Sequence, residues 1–376
     1  MVVEHLHIIS LNVPFPANYG GVIDIYYRAK ALAEAGVKVH LHCFVYNRAP
    51  HHLLEDFCFS VNYYNRNTSI LSAFSSIPYI VKSRESNALL QNLLKDDYPI
   101  LFEGLHTTLL LNRPELRNRV KIVRAHNCEH EYYRQLFNNE RNWLKKIYFY
   151  TESKRLRSYE KVLHNAQLIA SISKSENRYF NDKYGKSVWL PPAHSNNNVT
   201  SLTGIGKYVL FHADLSLLSN ELAAKFVVES LRETAVNVVI AGRLPSKNLQ
   251  ELVEATKNVR LIVNPDAEAM DEIVANAHII VLPTFHKSGV KLKLIDSLYK
   301  GRHCIANNMM LDGTDLDDLV MKFETEEELR LLCHKLQNVA FTENDVDKRR
   351  VALNYYDNNA NAKKLLNAIE NIDVRI

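Results

Sequence analysis

Cysteine is scarce and scattered in this chain. Its five cysteines, Cys43, Cys58, Cys128, Cys304 and Cys333, are odd in number and never spaced C-x-x-C. That excludes a disulfide framework and gives no basis for a thiolate metal site, so reduced, mostly buried thiols in a cytosolic protein are expected. No stretch approaches the roughly 20 apolar residues of a membrane span. The opening Met1-Val2-Val3-Glu4-His5 lacks the cationic start of a secretory signal, and export by that route is not expected. A G-x-G-x-x-G fingerprint is absent. So are helix-turn-helix, zinc-finger and RNA-binding signatures, and no nucleic-acid partner is expected. Glycine is also sparse, 11 in 376 residues against a usual ~7%, so each one is informative. Gly20, Gly21, Gly36, Gly289 and Gly301 fall at predicted strand-to-helix turns or helix ends, where positive φ or close backbone approach is needed.

What is present is an alternation of short apolar runs with amphipathic ones, the pattern of parallel sheets covered on both faces. In the first half it predicts strands at residues 5–11, 38–44, 100–103, 120–125 and 167–172, with helices at 23–35, 86–94 and about 140–164. Pro191-Pro192 followed by Ala193-His194-Ser195-Asn196 is the linker candidate, being proline-led, polar and aperiodic. Strands then resume at 208–213, 236–241, 259–263 and 279–282, with helices at 220–231, 247–254, 269–276 and 292–300. The expected architecture is α/β, two Rossmann-like doubly wound parallel-sheet domains over residues 1–195 and 207–350. Residues 351–376 form a helical segment able to cross back to the first domain. Residues 1–200 carry 25 Lys and Arg against 17 Asp and Glu, and residues 201–376 carry 21 against 25. The halves are therefore expected to face different partners.

Ligands of open α/β sheets bind at the carboxyl ends of strands, and four polar constellations follow predicted strands. Ser288-Gly289-Val290-Lys291-Leu292-Lys293-Leu294-Ile295-Asp296 sets two lysines in the first turn of a helix, the end whose dipole disfavours cations. An anion held between those lysines and the free N–H groups removes the conflict, which makes the segment a phosphate cradle. The plainer reading is a surface ion pair between Lys293 and Asp296. Gly301, just past this helix, is expected to be a left-handed cap. Tyr19-Gly20-Gly21 either lets the backbone approach a diphosphate or sugar or is a simple turn. Arg124-Ala125-His126-Asn127-Cys128-Glu129-His130-Glu131 offers His126 as a site residue, with Asn127 and Glu129 equally suited to starting a helix. His126 and His130 with Glu129 have metal-like spacing, but no third ligand has matching context and no metal is expected. Ala241-Gly242-Arg243 places a fork of donors within reach of a diphosphate, unless Arg243 is only a surface arginine. Gly20-Gly21 and Gly289 lie one in each domain, which puts the expected site in a cleft that the two domains face across. Residues 141–159, at once aromatic and cationic, fit either a membrane-facing interfacial helix or a core-packed helix with a solvated basic face.

In this order the motifs resemble GT-B-fold glycosyltransferases, similar to the family 4 enzymes that use nucleotide sugars, over most of the chain. The resemblance implies that the second domain holds a nucleoside-diphosphate sugar and the first domain the acceptor. It casts Lys291, Lys293 and Arg243 as neutralising the departing diphosphate without a metal or other cofactor, and Asp296 as gripping the ribose. His126 matches the family's histidine near the donor sugar. Together His126, Lys293 and Asp296 are the expected catalytic residues. Gly20, Gly21, Arg243, Ser288, Gly289, Val290 and Lys291 are the expected donor-binding set. Two departures stand out: Ser288 occupies the place of the family's first glutamate, and the usual Arg and Lys are missing after the first strand of the second domain. The implied activity is retaining glycosyl transfer to a hydroxyl of a cell-surface glycan or lipid-linked acceptor, in polysaccharide biosynthesis at a bacterial cell envelope. The implied location is the cytoplasm, with peripheral contact of the basic first half at the inner membrane face. A catalytically silent scaffold of the same fold and a nucleotide-sugar epimerase are the alternatives.

Overall fold

The structure is a computed structural model that describes residues 2–69, 75–285 and 290–372. The chain divides into two compact units, Met1–Ser195 with Tyr355–Ile376, and Asn196–Asn354. In the first unit β1 (His5–Ser10), β2 (Lys38–Val45), β3 (Ser60–Asn65), β4 (Ile100–Glu103), β5 (Lys121–Ala125), β6 (Leu168–Ser171) and β7 (Ser187–Trp189) form one sheet. Its order is β3-β2-β1-β4-β5-β6-β7, and every pairing is parallel. In the second unit β8 (Tyr208–Asp214), β9 (Val238–Arg243), β10 (Val259–Val263), β11 (Ala277–Leu282), β12 (His303–Ala306) and β13 (Met321–Lys322) run in the order β10-β9-β8-β11-β12-β13. These pairings are parallel as well. The strand order reverses between β1 and β4 and between β8 and β11, and the carboxyl ends at those points are where open sheets receive ligands.

Strand periodicity sorts the core. Leu6, Ile8, Leu101 and Ile122 pack on one face of the first sheet with Ala29 and Leu32 of helix Gly20–Glu34 and with Ala362, Leu365 and Ile369 of helix Asn358–Glu370. Their neighbours Ile9, Ile100, Phe102 and Val123 face the other side. The C-terminal helix is thereby part of the first unit's core. Strands β3, β7, β12 and β13 are not predicted by the sequence pattern. All but β12 are edge strands, and β3 is half-buried, so a continuous apolar run is not required of it. The predicted helix over 140–164 is an α-helix at Trp143–Tyr159 continued by a 3₁₀ turn at Glu160–Asn165, with a separate helix at Glu129–Asn139 before it.

Two glycine expectations need correction. Gly301 ends its helix in extended backbone, φ −85° and ψ 172°, not left-handed. A Cβ there would collide with Ile280 of β11 and stand 2.9 Å from the Ser297 carbonyl, so the glycine serves close helix–sheet packing. Gly20 and Gly21 are the first two residues of a helix rather than a turn before it, and neither has positive φ.

The sixteen histidines are concentrated unusually in β1 and β2. His7 Nδ1 meets His42 Nε2 at 2.8 Å and His7 Nε2 meets Asp96 at 2.9 Å, while His42 Nδ1 meets the Tyr64 hydroxyl at 2.8 Å. Beside them His5 contacts His40 at 2.9 Å. Burial, then the neighbouring imidazoles, pushes His42 down to about 3 and His40 to about 4, and burial lowers His7 despite Asp96. The unfolded chain therefore binds these protons at a higher pH than the fold does. The contribution of these histidines is unchanged above about pH 6.5 and weakens the fold as pH drops from there toward 4. The thermal midpoint of His40→Asn should therefore gain on the parent's as pH falls through this range.

Candidate functional site

In the first unit helix Gly20–Glu34 and the ends of β4 and β5 carry a buried network of five ionisable groups. Asp24, one turn into helix Gly20–Glu34, accepts from Arg28 at 3.1 and 2.7 Å, from Arg124 Nε at 3.1 Å and from the Ala193 N–H at 2.7 Å. Arg28 also donates to Glu103 at 3.2 and 3.1 Å. His126 Nε2 lies 2.9 Å from Glu103, and its Nδ1 lies 3.6 Å from Asp24. Arg124 reaches on to the carbonyls of Leu190 and Pro191. Burial alone would raise both carboxyls, yet Arg124 and Arg28 hold Asp24 well below its ordinary value, and Arg28 and His126 do the same for Glu103. His126 is thus clamped between two carboxylates with its ring orientation fixed. Asp24, Glu103 and His126 bring ligand atoms within 4.8 Å of one another, but the carboxylates already receive guanidinium N–H groups.

Beside this network, Gly104 has φ +73° and would place a Cβ 2.9 Å from His106 Nδ1 and 3.5 Å from His126 Cδ2. Glycine is needed here both for its conformation and so that two imidazoles can approach the end of β4. Among the described residues His106 Nδ1 and Glu129 Oε1 are buried without a hydrogen-bond partner, 3.8 Å apart. Burial, then Glu176, pushes the Glu129 carboxyl up to about 8, so it is protonated at neutral pH. Burial and the nearby Arg84 push His106 well below its ordinary value. His130, by contrast, faces Glu160 at 3.1 Å and Cys128 at 3.4 Å, and it takes no part in the contacts around His126.

In the second unit the chain passes from β11 through Thr284, whose N–H donates to Asn307, to helix Leu292–Lys300. Ser288 and Gly289 lie outside the described residues. Lys291 occupies the N-cap position, no side chain among the described residues caps this helix, and its first turn holds no acid. Lys293 is half-buried, with Nζ 5.3 Å from the centre of the Phe211 ring. Burial and the like charge of Lys291 pull it down to about 8. Among the described residues no carboxylate is paired with Lys293. Asp296 instead bonds Lys300 at 3.0 Å and accepts from Asn196 at 3.2 Å, so the surface pair with Lys293 is not what forms. At the ends of β8 and β9, Arg243 donates to Asp214. Arg243 is half-exposed, 50%. Sequence reasoning singled out neither Asp24, Arg28 and Glu103 nor His106 and Arg84. Asp24 and Arg28 inside an apolar helix, and Glu103 ending the buried strand Ile100–Glu103, were the available signal.

No family model matches the sequence. An uncharacterized 44.6 kDa protein in the cps region of Klebsiella pneumoniae is 26% identical over 391 residues, covering 96% of this chain and 98% of that one. Anabaena HepE, solved in complex with UDP and glucose, superposes with a TM-score of 0.65 at 11% identity over 98% of this chain and 99% of that one. The fold is GT-B. The apo form of the lipopolysaccharide outer core galactosyltransferase WaaB also matches, with a TM-score of 0.59 at 10% identity over 97% of this chain and 99% of its own. Of the expected residues, His126 directly follows β5 and Arg243 ends β9, Gly20 and Gly21 open the helix after β1, Val290 and Lys291 immediately precede helix Leu292–Lys300, and Lys293 and Asp296 lie within it.

The state of Glu129 gives a test of the first half-site. A carboxyl whose folded value is about 8 against an ordinary 4.5 favours the unfolded chain as pH rises between those limits. Glu129→Gln cannot ionise, so its thermal midpoint should gain on the parent's as pH rises from 5 to 8. A constant difference across that range would contradict the assignment.

Proposed function

We propose that this chain is a glycosyltransferase that moves a sugar from a nucleoside-diphosphate sugar to a hydroxyl of a cell-surface glycan or lipid-linked acceptor, with retention and without a metal. The observation that carries the reading is Lys293, a half-buried cation with no paired carboxylate among the described residues, in the first turn of a helix behind a parallel strand of a GT-B unit. Departure of a nucleoside diphosphate develops negative charge on the phosphate, and preorganised donors directed at that charge are the largest ordinary source of rate enhancement. Lys293, Lys291 and the helix N-terminus supply those donors. Arg243, half-exposed and paired with the Asp214 carboxylate, exchanges Asp214 for phosphate at small cost. Asp296 accepts from the ribose hydroxyls, and the first unit holds the acceptor and supplies His126. HepE, bound to UDP and glucose, and WaaB, a galactosyltransferase, support this assignment of substrate class.

Lys293→Ala should lower kcat/KM by about 10²–10³ with the thermal midpoint retained, measured with UDP-glucose and related donors. The pH dependence adds a sharper sign. A diphosphate raises the value of Lys293 above its free value of about 8, so binding takes up a proton above that pH and UDP affinity falls, by at most about tenfold per pH unit. Calorimetry should show this fall in the parent and its loss in Lys293→Met. Ser288 in place of the family's glutamate keeps a silent scaffold of the same fold as a second reading; a chain that binds no nucleoside diphosphate at any pH would favour it.

A further inference from the structure

The helices Glu129–Asn139 and Trp143–Tyr159 of the first unit are joined by the turn at residues 140–142. The second helix carries Trp143, Ile147, Tyr150 and Lys154 at i, i+4, i+7 and i+11, a single stripe along its surface. Trp143 is 68% exposed, Leu144 59%, Ile147 53% and Tyr150 46%. Side chains of this size are rarely left together in water without a partner surface. Phe137 of the preceding helix closes the other side of a cleft of about 470 Å³, with Lys146 on its wall. The cations sit over the rings: Lys146 Nζ is 5.2 Å from the centre of Phe137, and Lys154 Nζ is 4.3 Å from that of Tyr150.

The charge around the stripe has one sign. Residues 134–157 contain seven Lys and Arg against two Glu, and both acids are already engaged. Glu140 accepts from the N–H groups of Arg141 and Asn142 in the turn. Glu152 is buried and bound to Arg155 and to the Tyr79 N–H. We propose that this hairpin tip docks on an anionic phospholipid surface, with Trp143, Leu144 and Ile147 entering the interface and Arg141, Lys145 and Lys146 meeting the phosphates. Tryptophan and tyrosine suit the boundary between acyl chains and headgroups because each has an apolar body and one polar atom. A second copy of the chain fits worse, since a two-fold contact on this face sets cations against cations. The inference stands apart from the sugar-transfer reading: it uses no residue of either half-site.

Trp143 is its own reporter, because the chain has one other tryptophan, Trp189, and the difference between the parent and Trp143→Phe isolates its emission. With the full chain and phosphatidylglycerol–phosphatidylcholine vesicles, that difference spectrum should shift blue and be quenched by brominated acyl chains. Phosphatidylcholine vesicles alone should bind much less, and added salt should release the protein. Lys145→Gln and Lys146→Gln should each weaken partition by about fivefold, and Ile147→Ser should reduce it further while UDP binding is unchanged. Trp143 emission that ignores phosphatidylglycerol vesicles would overturn the proposal. So would sedimentation showing a dimer that Ile147→Ser dissociates.

Discussion

Asp24 has no contact with water and accepts from three residues drawn from three parts of the chain: Arg28 four positions on, Arg124 a hundred positions on and the Ala193 backbone beyond that. Removing an anion so placed leaves Arg124 buried without its charge partner and Arg28 with Glu103 alone, and breaking a buried pair in this way typically costs about 3–5 kcal/mol. The network is also what arranges the first unit. Helix Gly20–Glu34 is pinned through Arg28 to the end of β4, β5 is pinned through Arg124 to that helix, and the chain leaving β7 is pinned through the Leu190 and Pro191 carbonyls. Hydrophobic cores on either face of the sheet would tolerate small slides of that helix. A set of directed hydrogen bonds does not.

His126 is a dependent of the same constraint. Its two ring nitrogens face Glu103 and Asp24, and those carboxylates keep their orientation because arginines hold them. A histidine at a strand end can usually rotate about χ1 and χ2; this one would lose a charge-assisted contact by doing so. The adjoining His106 and Glu129 show the opposite state. They are buried at hydrogen-bond range plus about an ångström, with no partner for the facing atoms. Groups left unsatisfied beside a fully satisfied network mark where the fold carries polar chemistry that its own stability does not need.

The difference in legibility between fold and site follows from range. Strands such as Ile100–Glu103 and helices such as Lys247–Glu254 are fixed by neighbours in sequence, and apolar spacing finds them directly. Lys291 and Lys293 were equally legible, because a cation at a helix start is a local contradiction visible in a few residues. Glu103 and Arg28 are 75 positions apart and Arg124 and Asp24 are 100 apart, and no local pattern couples them. The same limit explains Gly301. A glycine after a helix suggests a left-handed cap, but the side chain that excludes a Cβ there is Ile280, on a strand whose contact with the helix end is purely tertiary. Arg243 was visible as a strand-end cation, whereas its Asp214 partner required knowing that β8 and β9 are neighbours.

Arg28 and Arg124 of the first unit and Lys293 of the second are cations held in contrary ways, and the contrast is itself chemical information. Arg28 and Arg124 are buried with carboxylates that the chain supplies, and the positive charge is balanced in the folded protein. Lys293 is half-buried beside another lysine and an aromatic ring, with no carboxylate paired to it among the described residues, and it gives up part of its hold on the proton as a result. Drawing a lysine partly out of water without an anion weakens a fold, so stability alone gives no reason for it. An anion arriving at that helix start would recover both the desolvation penalty of the lysine and the unfavourable placement of a cation at the positive end of the helix dipole. The affinity for such an anion is then largest when its charge is greatest, which is the condition a departing diphosphate meets as its bond to the sugar breaks.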